Sequence, residues 1–515
     1  MKVLATLHER LIVRSVDRDG TPRTVEFLDN DSIRPTKVQD RTWTHITYLA
    51  FWFSASGNVS NLYAASTGLT VGLSMWESII CQLGGQILAG ILMALNGRAG
   101  ALYRIPFPVL CRSSWGPLGA LWSTFNRAVM AIVWNCVNAV QGAQCLNVLL
   151  RSIFPSMANI PNMMGSKSAL TSAGMICFSI FWFINCAFLF TPIPKMRILV
   201  YIKVVAYYSA TVAMLAWTLS LSGSSKHTLR SHSTIHGTEK SWMVVKFFWL
   251  GLASVATFVS NAADLQRYAR RPNDVILGQV FSFPVANFYH FHHGLCDSCY
   301  QMGNDIAALL PKYLNVKRAV FICAGKQALA EISTSLWSLI DEYSPIFLSS
   351  YQIFLSAIAG ILLCDYYLIR RGRLCIPELY TMNPEARYHY LRGINFRAFA
   401  VYLVSIGPSF YAFPNQLGVK APLSIQRFYY ISYPMGLLIA FLGYYLSCRC
   451  FPIVGMVRTW GWHEPREYID DHDSTRDDAT IDFDAVDISR RGSDAFDSVF
   501  AEGIKRDEDI KRAIA

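Results

Sequence analysis

Residues 43–74 read "WTHITYLAFWFSASGNVSNLYAASTGLTVGLS". The stretch is apolar, yet small polar residues interrupt it at "SASGN". An α-helix needs about 20 residues to cross the hydrocarbon core of a bilayer. Gly and small polar residues at its centre are tolerated where the freed backbone lines a cavity. Discontinuous helices of this kind build the ion and substrate sites of transporters. The stretch therefore predicts a broken membrane span. At its break, Gly57 and Asn58 offer freed carbonyls to a cation or a substrate, or Asn58 serves as a hydrogen bond that stabilises the break. "NVS" also matches the glycosylation pattern, but it lies inside a predicted span.

Composition supports an all-α, multi-pass membrane protein. The chain has 515 residues, of which 53% are hydrophobic and only 16% charged, against about 25% charge in a soluble domain. Its formal net charge of +11 says little about nucleic acid, and no nucleic-acid partner is expected. In a membrane protein, excess Lys and Arg sets topology. The first fifteen residues lack the apolar core of a cleaved signal peptide. The 13 cysteines are scattered, mostly inside apolar runs, where Cys behaves as a small hydrophobe.

Working outward, further apolar runs cover 74–97, 128–150, 171–190, 197–223, part of 242–264, 346–369, 397–413 and 428–448. The loops "NGRAGALYR", "PKMR", "QRYARRP" and "RRGRL" are basic. The positive-inside rule places them, and both termini, in the cytoplasm. Segment 222–241 is an exception, since it falls outside yet carries Lys226, Arg230 and Lys240. Residues 1–42 read as a cytoplasmic tail. Residues 463–515 are acidic and read as a disordered cytoplasmic tail, with Lys505 and Lys511 open to trafficking or ubiquitination machinery.

The motifs "FSASGNVSNLYAASTGLTVGLSMWE", "NGRAGALYRIPFPVLCRSSWG", "FNRAVMAIVWNCVNAVQGAQC", "SNAADLQRYARRPNDVILGQ", "GNDIAALLPKYLNVKR" and "GINFRAF" resemble the nucleobase–cation symporter-1 family. The resemblance is to its fungal uracil, allantoin and uridine permeases, and it covers roughly residues 30–450. It implies a LeuT-like inverted-repeat fold of twelve spans in the plasma membrane, formed here by residues 43–450. It also implies import of a small heterocyclic substrate by symport, usually with a proton, and no cofactor. No enzyme motif stands out.

A flat, polar ring needs an aromatic platform for its face and amides for its edge. Trp134 and Asn138, four residues apart, share one helical face. In the family a Trp on this helix stacks on the substrate and an amide four residues later binds its edge. The family pattern often has Gln where this chain has Asn138. Packing for Trp134 and interhelical glue for Asn138 are the alternatives. Trp249 either faces the site or packs. Asp264 and Arg267 form an ion pair or a gate contact. Gln352 and Phe354 lie on the 346–369 span, which resembles the helix that closes over substrate from outside. Glu77 and Asp264 are the membrane carboxylates; both lie near span ends, and neither names a proton carrier.

Between residues 271 and 345 the pattern breaks. The family has three spans of about 20 residues each here, and this chain is shorter by about sixty residues. "VILGQVFSFPVANF" is only long enough for a re-entrant or interfacial piece. "YHFHHGLCDSCYQM" resembles nothing in the family. Asn304, in "GNDIAALLP", is the remaining substrate contact of span eight. A chain of ten spans results, lacking span seven and most of span eight, with transport impaired. A non-transporting relative is the alternative. A third reading takes His290, His292, His293, Cys296 and Cys299 as a zinc site, since Cys-x-x-Cys with nearby His suits Zn²⁺.

Overall fold

The computed structural model describes residues 15–16, 22–23, 28–55, 71–164, 171–188, 200–206, 232–288, 351–412, 422–457, 461–462 and 464–465, with isolated positions at 68, 198, 209, 213 and 220. Apart from a two-stranded antiparallel ribbon, Ser15–Val16 with Pro22–Arg23, the described secondary structure is helical.

Helix α1 (His45–Ala55) carries the first half of the opening stretch. Its aromatic residues Tyr48, Phe51 and Trp52 are buried in one apolar cluster with Trp43. The Tyr48 hydroxyl donates to the Leu265 carbonyl at 2.9 Å, tying α1 to the end of the sixth span. The predicted break at Gly57 and Asn58 lies outside the described residues.

Helix α2 (Met75–Asn96) begins at a capping box. The Ser74 side chain accepts from the Glu77 N–H, and the Glu77 carboxylate accepts from the Ser74 N–H. Lys240 pairs with Glu77 at 2.5 Å. Glu77 is thus a cap and an ion-pair partner, and one of the exceptional basic residues is charge-compensated. Short helices follow, α3 (Arg98–Tyr103) and α4 (Phe107–Trp115), the second entirely buried. Helix α5 (Ala120–Ile153) has 34 residues, about 51 Å at 1.5 Å per residue. It begins eight residues before the apolar run at 128, because Ala120–Arg127 continue the helix into the packed loops. Helix α6 is Ser172–Phe188.

The sixth span is not continuous. Helix α7 (Gly237–Ala253) stops, Val255 leaves helical geometry at φ −116° and ψ 14°, and α8 (Ala256–Ser260) and α9 (Ala262–Gln266) follow. The sixth span is therefore broken at Val255. Asn96, at the end of α2, donates to the Val259 carbonyl at 2.7 Å and the Ser260 carbonyl at 3.1 Å. A side chain of one span thus satisfies backbone that the break in another leaves open. Gly85 makes this approach possible, because any Cβ there would collide with the Phe248 carbonyl of α7.

Helix α10 (Asp274–Leu277), a π-turn (Gly278–Ser282) and α11 (Phe283–Phe288) form one irregular rod against α1 and α2. This is the stretch read as re-entrant or interfacial. Residues 289–350 lie outside the described residues, and with them the histidine–cysteine stretch, Asn304 and the segment whose loss would leave ten spans.

Helix α12 (Tyr351–Ile369) ends in a π-turn at Asp365–Ile369. Helix α13 (Phe396–Phe410) is capped by Asn395. The run at 428–448 is not one straight span. Helices α14 (Leu423–Tyr430) and α15 (Ser432–Cys450) meet at 65°. Among the described residues, α2, α5 and α12 are each long and apolar enough to cross a membrane, and the bent pair makes a fourth candidate. Ile80, Ile87 and Ile91 on α2 and Leu438, Leu442 and Leu446 on α15 stay exposed. Their spacing puts each set on one face, the stripe a lipid-facing helix requires.

The loops 97–119, 267–273 and 370–395 gather at one basic end. Arg112 there donates to the carbonyls of Leu28 and Leu379, both at 2.9 Å. Asp365 accepts from the Ser113 hydroxyl at 2.8 Å. Within the stretches read as tails, Leu28 and Ile33 are buried, because Ile33 joins an apolar core and Arg34 pairs with Asp29 at 2.5 Å. Glu464 is bound to Arg98, so the acidic segment is anchored at its start.

Candidate substrate and cation site

Four-residue steps along α5 place Asn126, Met130, Trp134 and Asn138 in one stripe. Met130 is buried in the cluster that contains Trp52, Val255, Val259 and Tyr433. Trp134 packs on that cluster and stays half-buried. Asn138, one turn further, is buried at 7% exposure and hydrogen-bonded or otherwise engaged. An aromatic ring that packs on one side and remains open on the other is what a stacking platform needs.

Trp249 on α7 and Phe258 on α8 pack against the same cluster. The Trp52 ring meets Phe258 edge-on at 5.3 Å. Trp134 and Trp249, predicted separately, therefore share one apolar wall, and the break in the sixth span runs between Trp249 and Phe258. Phe258 and Tyr351, which also joins this wall, were not legible as site residues. Aromatic side chains in apolar spans look alike in sequence.

Gln352 is buried at 9% exposure, and its Oε1 accepts no hydrogen bond among the described residues. A buried amide oxygen left so is destabilising by about 1–3 kcal/mol, which suits a group that waits for a ligand. Phe354 lies on α12, two residues from Gln352. It packs against two other cores and the Tyr351 ring, at 4.9 Å. Gly57, Asn58 and Asn304 lie outside the described residues.

Asp264 and Arg267 sit at the basic end. Asp264 accepts from the Phe107 N–H at 2.9 Å, and Arg267 and Arg127 both attract its charge. Arg267 donates to the Ser32 carbonyl at 3.2 Å and the Tyr268 hydroxyl at 2.8 Å. Asp264 and Arg267 thus belong to one network joining the sixth span, α4, α5 and the N-terminal segment.

One ionisable group escaped the sequence reading. Lys203, in the fifth apolar run, donates its ammonium to the Ser54 carbonyl at 2.8 Å. Ser54 lies in the last described turn of α1, just before the "SGN" interruption. Nearby, the Thr47 and Tyr201 hydroxyls are 3.5 Å apart, so residues 200–206 run along α1. The signal that was available is a single Lys inside an apolar run, functional by default in a membrane. Among the described residues no group of three His, Cys, Asp or Glu is placed to hold a metal.

The sequence profile of the permeases for cytosine/purines, uracil, thiamine and allantoin matches residues 35–298 and 294–436. The two matched pieces meet inside the histidine–cysteine stretch. An uncharacterized permease of Schizosaccharomyces pombe is 31% identical over 491 residues, 85% of this chain and 82% of that protein. The uridine permease of Saccharomyces cerevisiae is 29% identical, with 84% and 76% covered. Its allantoin permease is also 29% identical, with 86% and 80% covered. The solved structure of Mhp1, a nucleobase-cation-symport-1 family transporter, closed with bromovinylhydantoin bound, superposes with a TM-score of 0.59 at 18% identity. It covers 82% of this chain and 97% of that one. The inward-facing conformation of Mhp1 gives 0.60.

Proposed function

Because the chain belongs to the family of permeases for cytosine/purines, uracil, thiamine and allantoin, we propose that it imports a uracil-, uridine- or allantoin-type heterocycle together with a proton. It is a multi-pass membrane transporter and not an enzyme. The observation that carries the substrate reading is the half-buried Trp134 ring on the wall shared with Trp249, with the Asn138 amide one turn along. Trp134 takes the face of the ring and Asn138 its edge, and Gln352 offers an unused acceptor from α12. Asn58 and Asn304 complete the expected contacts. Because Asn138 is one methylene shorter than the Gln often found there, the substrate sits closer to α5 or is wider at that edge.

Coupling rests on Lys203. Freed carbonyls at a helix break attract a cation. Here the Lys203 ammonium on the Ser54 carbonyl supplies positive charge close in sequence to Gly57 and Asn58, where the sequence leads us to expect a break. Through this bond to α1, Lys203 is the group we propose takes part in coupling to the proton gradient. The basic end faces the cytoplasm by the positive-inside rule, and the plasma membrane is the site of action.

The division of the family match at residues 294–298 favours a second reading, a relative that has lost transport through disruption of 271–345. Uptake of labelled uracil, uridine and allantoin in a transport-null yeast decides between them. The permease reading expects saturable uptake of at least one substrate, lost on dissipating the proton gradient. No uptake with protein at the cell surface would overturn it. For Lys203→Met, the accumulation ratio should fall at least tenfold while counterflow exchange persists. Equal loss of both would remove Lys203 from coupling.

A further inference from the structure

The Tyr351 hydroxyl donates to the Asn126 Oδ1 at 2.7 Å. This bond joins α12 to the stripe on α5 that bears Trp134. The Asn126 Nδ2 donates in turn to the Trp122 carbonyl of its own helix at 2.8 Å. A carbonyl only accepts, so the amide nitrogen must face Trp122 and the amide oxygen must face Tyr351. Asn126 is itself buried, at 3% exposure. Its orientation is therefore fixed by its own helix, and it in turn fixes the phenol.

The Tyr351 ring is half-buried and packs on the same apolar cluster as Trp134, Trp249 and Phe258. Two residues on α12 hold it from that side. Leu355, one turn along, is buried in the cluster, and Phe354 meets the ring at 4.9 Å. A half-buried ring with a fixed hydroxyl is a wall of set position. Without the bond, the ring gains rotamer freedom and Asn126 keeps a buried oxygen with no donor from α12.

We infer that Tyr351 is a specificity-determining wall of the substrate site and that Asn126 is the residue that positions it. The ligand class is a flat heteroaromatic ring, and the wall discriminates by width. A bare pyrimidine fits between α5 and α12, whereas a ring carrying a bulky substituent must displace the phenol. This rests on the permease reading above, and the experiment separates the two.

KM and Vmax for uracil and uridine would be measured in transport-null yeast for wild type, Tyr351→Phe, Asn126→Leu and the double variant. Loss of one hydrogen bond amounts to about a five- to tenfold change. The ratio of the two KM values should shift by that factor in each single variant, with Vmax per surface protein within twofold. The double variant should be no worse than either single, since both partners are then apolar. An unchanged KM ratio, or multiplicative losses in the double variant, would overturn the inference. If the wild type takes up neither compound, the permease reading has failed, and purified protein carries the test. Thermal midpoints with uracil or uridine present should then show a ligand shift in wild type that both single variants lose. No ligand shift in the wild type would overturn the wall as well.

Discussion

Trp134 carries most of the stacking area, so Trp134→Ala should raise KM for the best substrate at least tenfold, or about 1.4 kcal/mol. Trp134→Phe should recover most of it. Kinetics at equal surface expression would check both. Asn138→Gln restores the longer amide and should shift preference among uracil, uridine and allantoin rather than abolish uptake. The family resemblance proposes both roles, and the four-residue spacing adds only that the two side chains share one helical face. Lys203 was legible only in part. A lone Lys inside an apolar run marks it in sequence, but only the fold shows that its ammonium ends on Ser54. Gln352 was legible as polar. That its Oε1 accepts no hydrogen bond among the described residues was not, since satisfaction is a property of neighbours distant in the chain.

At the scale of elements, apolar length located α2 within a residue at each end, because both its caps, Ser74 and Gly97, are local signals. It failed for the last apolar run, where a 65° bend separates α14 from α15 without a long polar interruption. The break in the sixth span depends on a partner. Asn96→Leu should leave the Val259 and Ser260 carbonyls without their side-chain donor and destabilise the fold by about 2–4 kcal/mol, one to two per carbonyl. Thermal unfolding in detergent would show a lower midpoint, whereas an unchanged midpoint would mean the break is satisfied some other way. Gly85→Val should be more severe, since the Phe248 backbone cannot yield as a side chain would. Little of that variant should leave the endoplasmic reticulum.

Across the whole molecule, the basic end is closed by contacts between segments far apart in sequence. Arg98 grips Glu464 through Nε at 2.8 Å and Nη2 at 3.2 Å, and reaches the Asn273 Oδ1 at 2.8 Å. The Tyr366 hydroxyl donates to the same carboxylate at 2.8 Å, and the Trp462 ring stacks on Tyr367. Burial raises the proton affinity of Glu464, but the hydrogen bonds from Arg98, Tyr366 and Trp462 outweigh it, so the carboxyl titrates below its ordinary range. A depressed carboxylate contributes stability above the unfolded value, about 4.3 for Glu. That contribution is lost as pH falls through the lower folded value. Limited proteolysis of residues 458–470 should therefore be slow at pH 7 and speed up below about pH 4, and Glu464→Gln should be cleaved quickly at both. Reading the tail from composition alone could not reveal this, because acidity marks the segment as solvated while one carboxylate in it is not.

The clasp sets a practical boundary for anyone handling the protein. A reporter or affinity tag joined directly after Cys450 would delete Trp462 and Glu464, and Arg98, Tyr366 and Tyr367 would lose their partners together. Such a fusion would report on an altered carrier. A junction placed beyond Pro465 keeps the clasp, so in a nested series of C-terminal truncations the thermal midpoint should fall abruptly, not gradually, once Glu464 is removed.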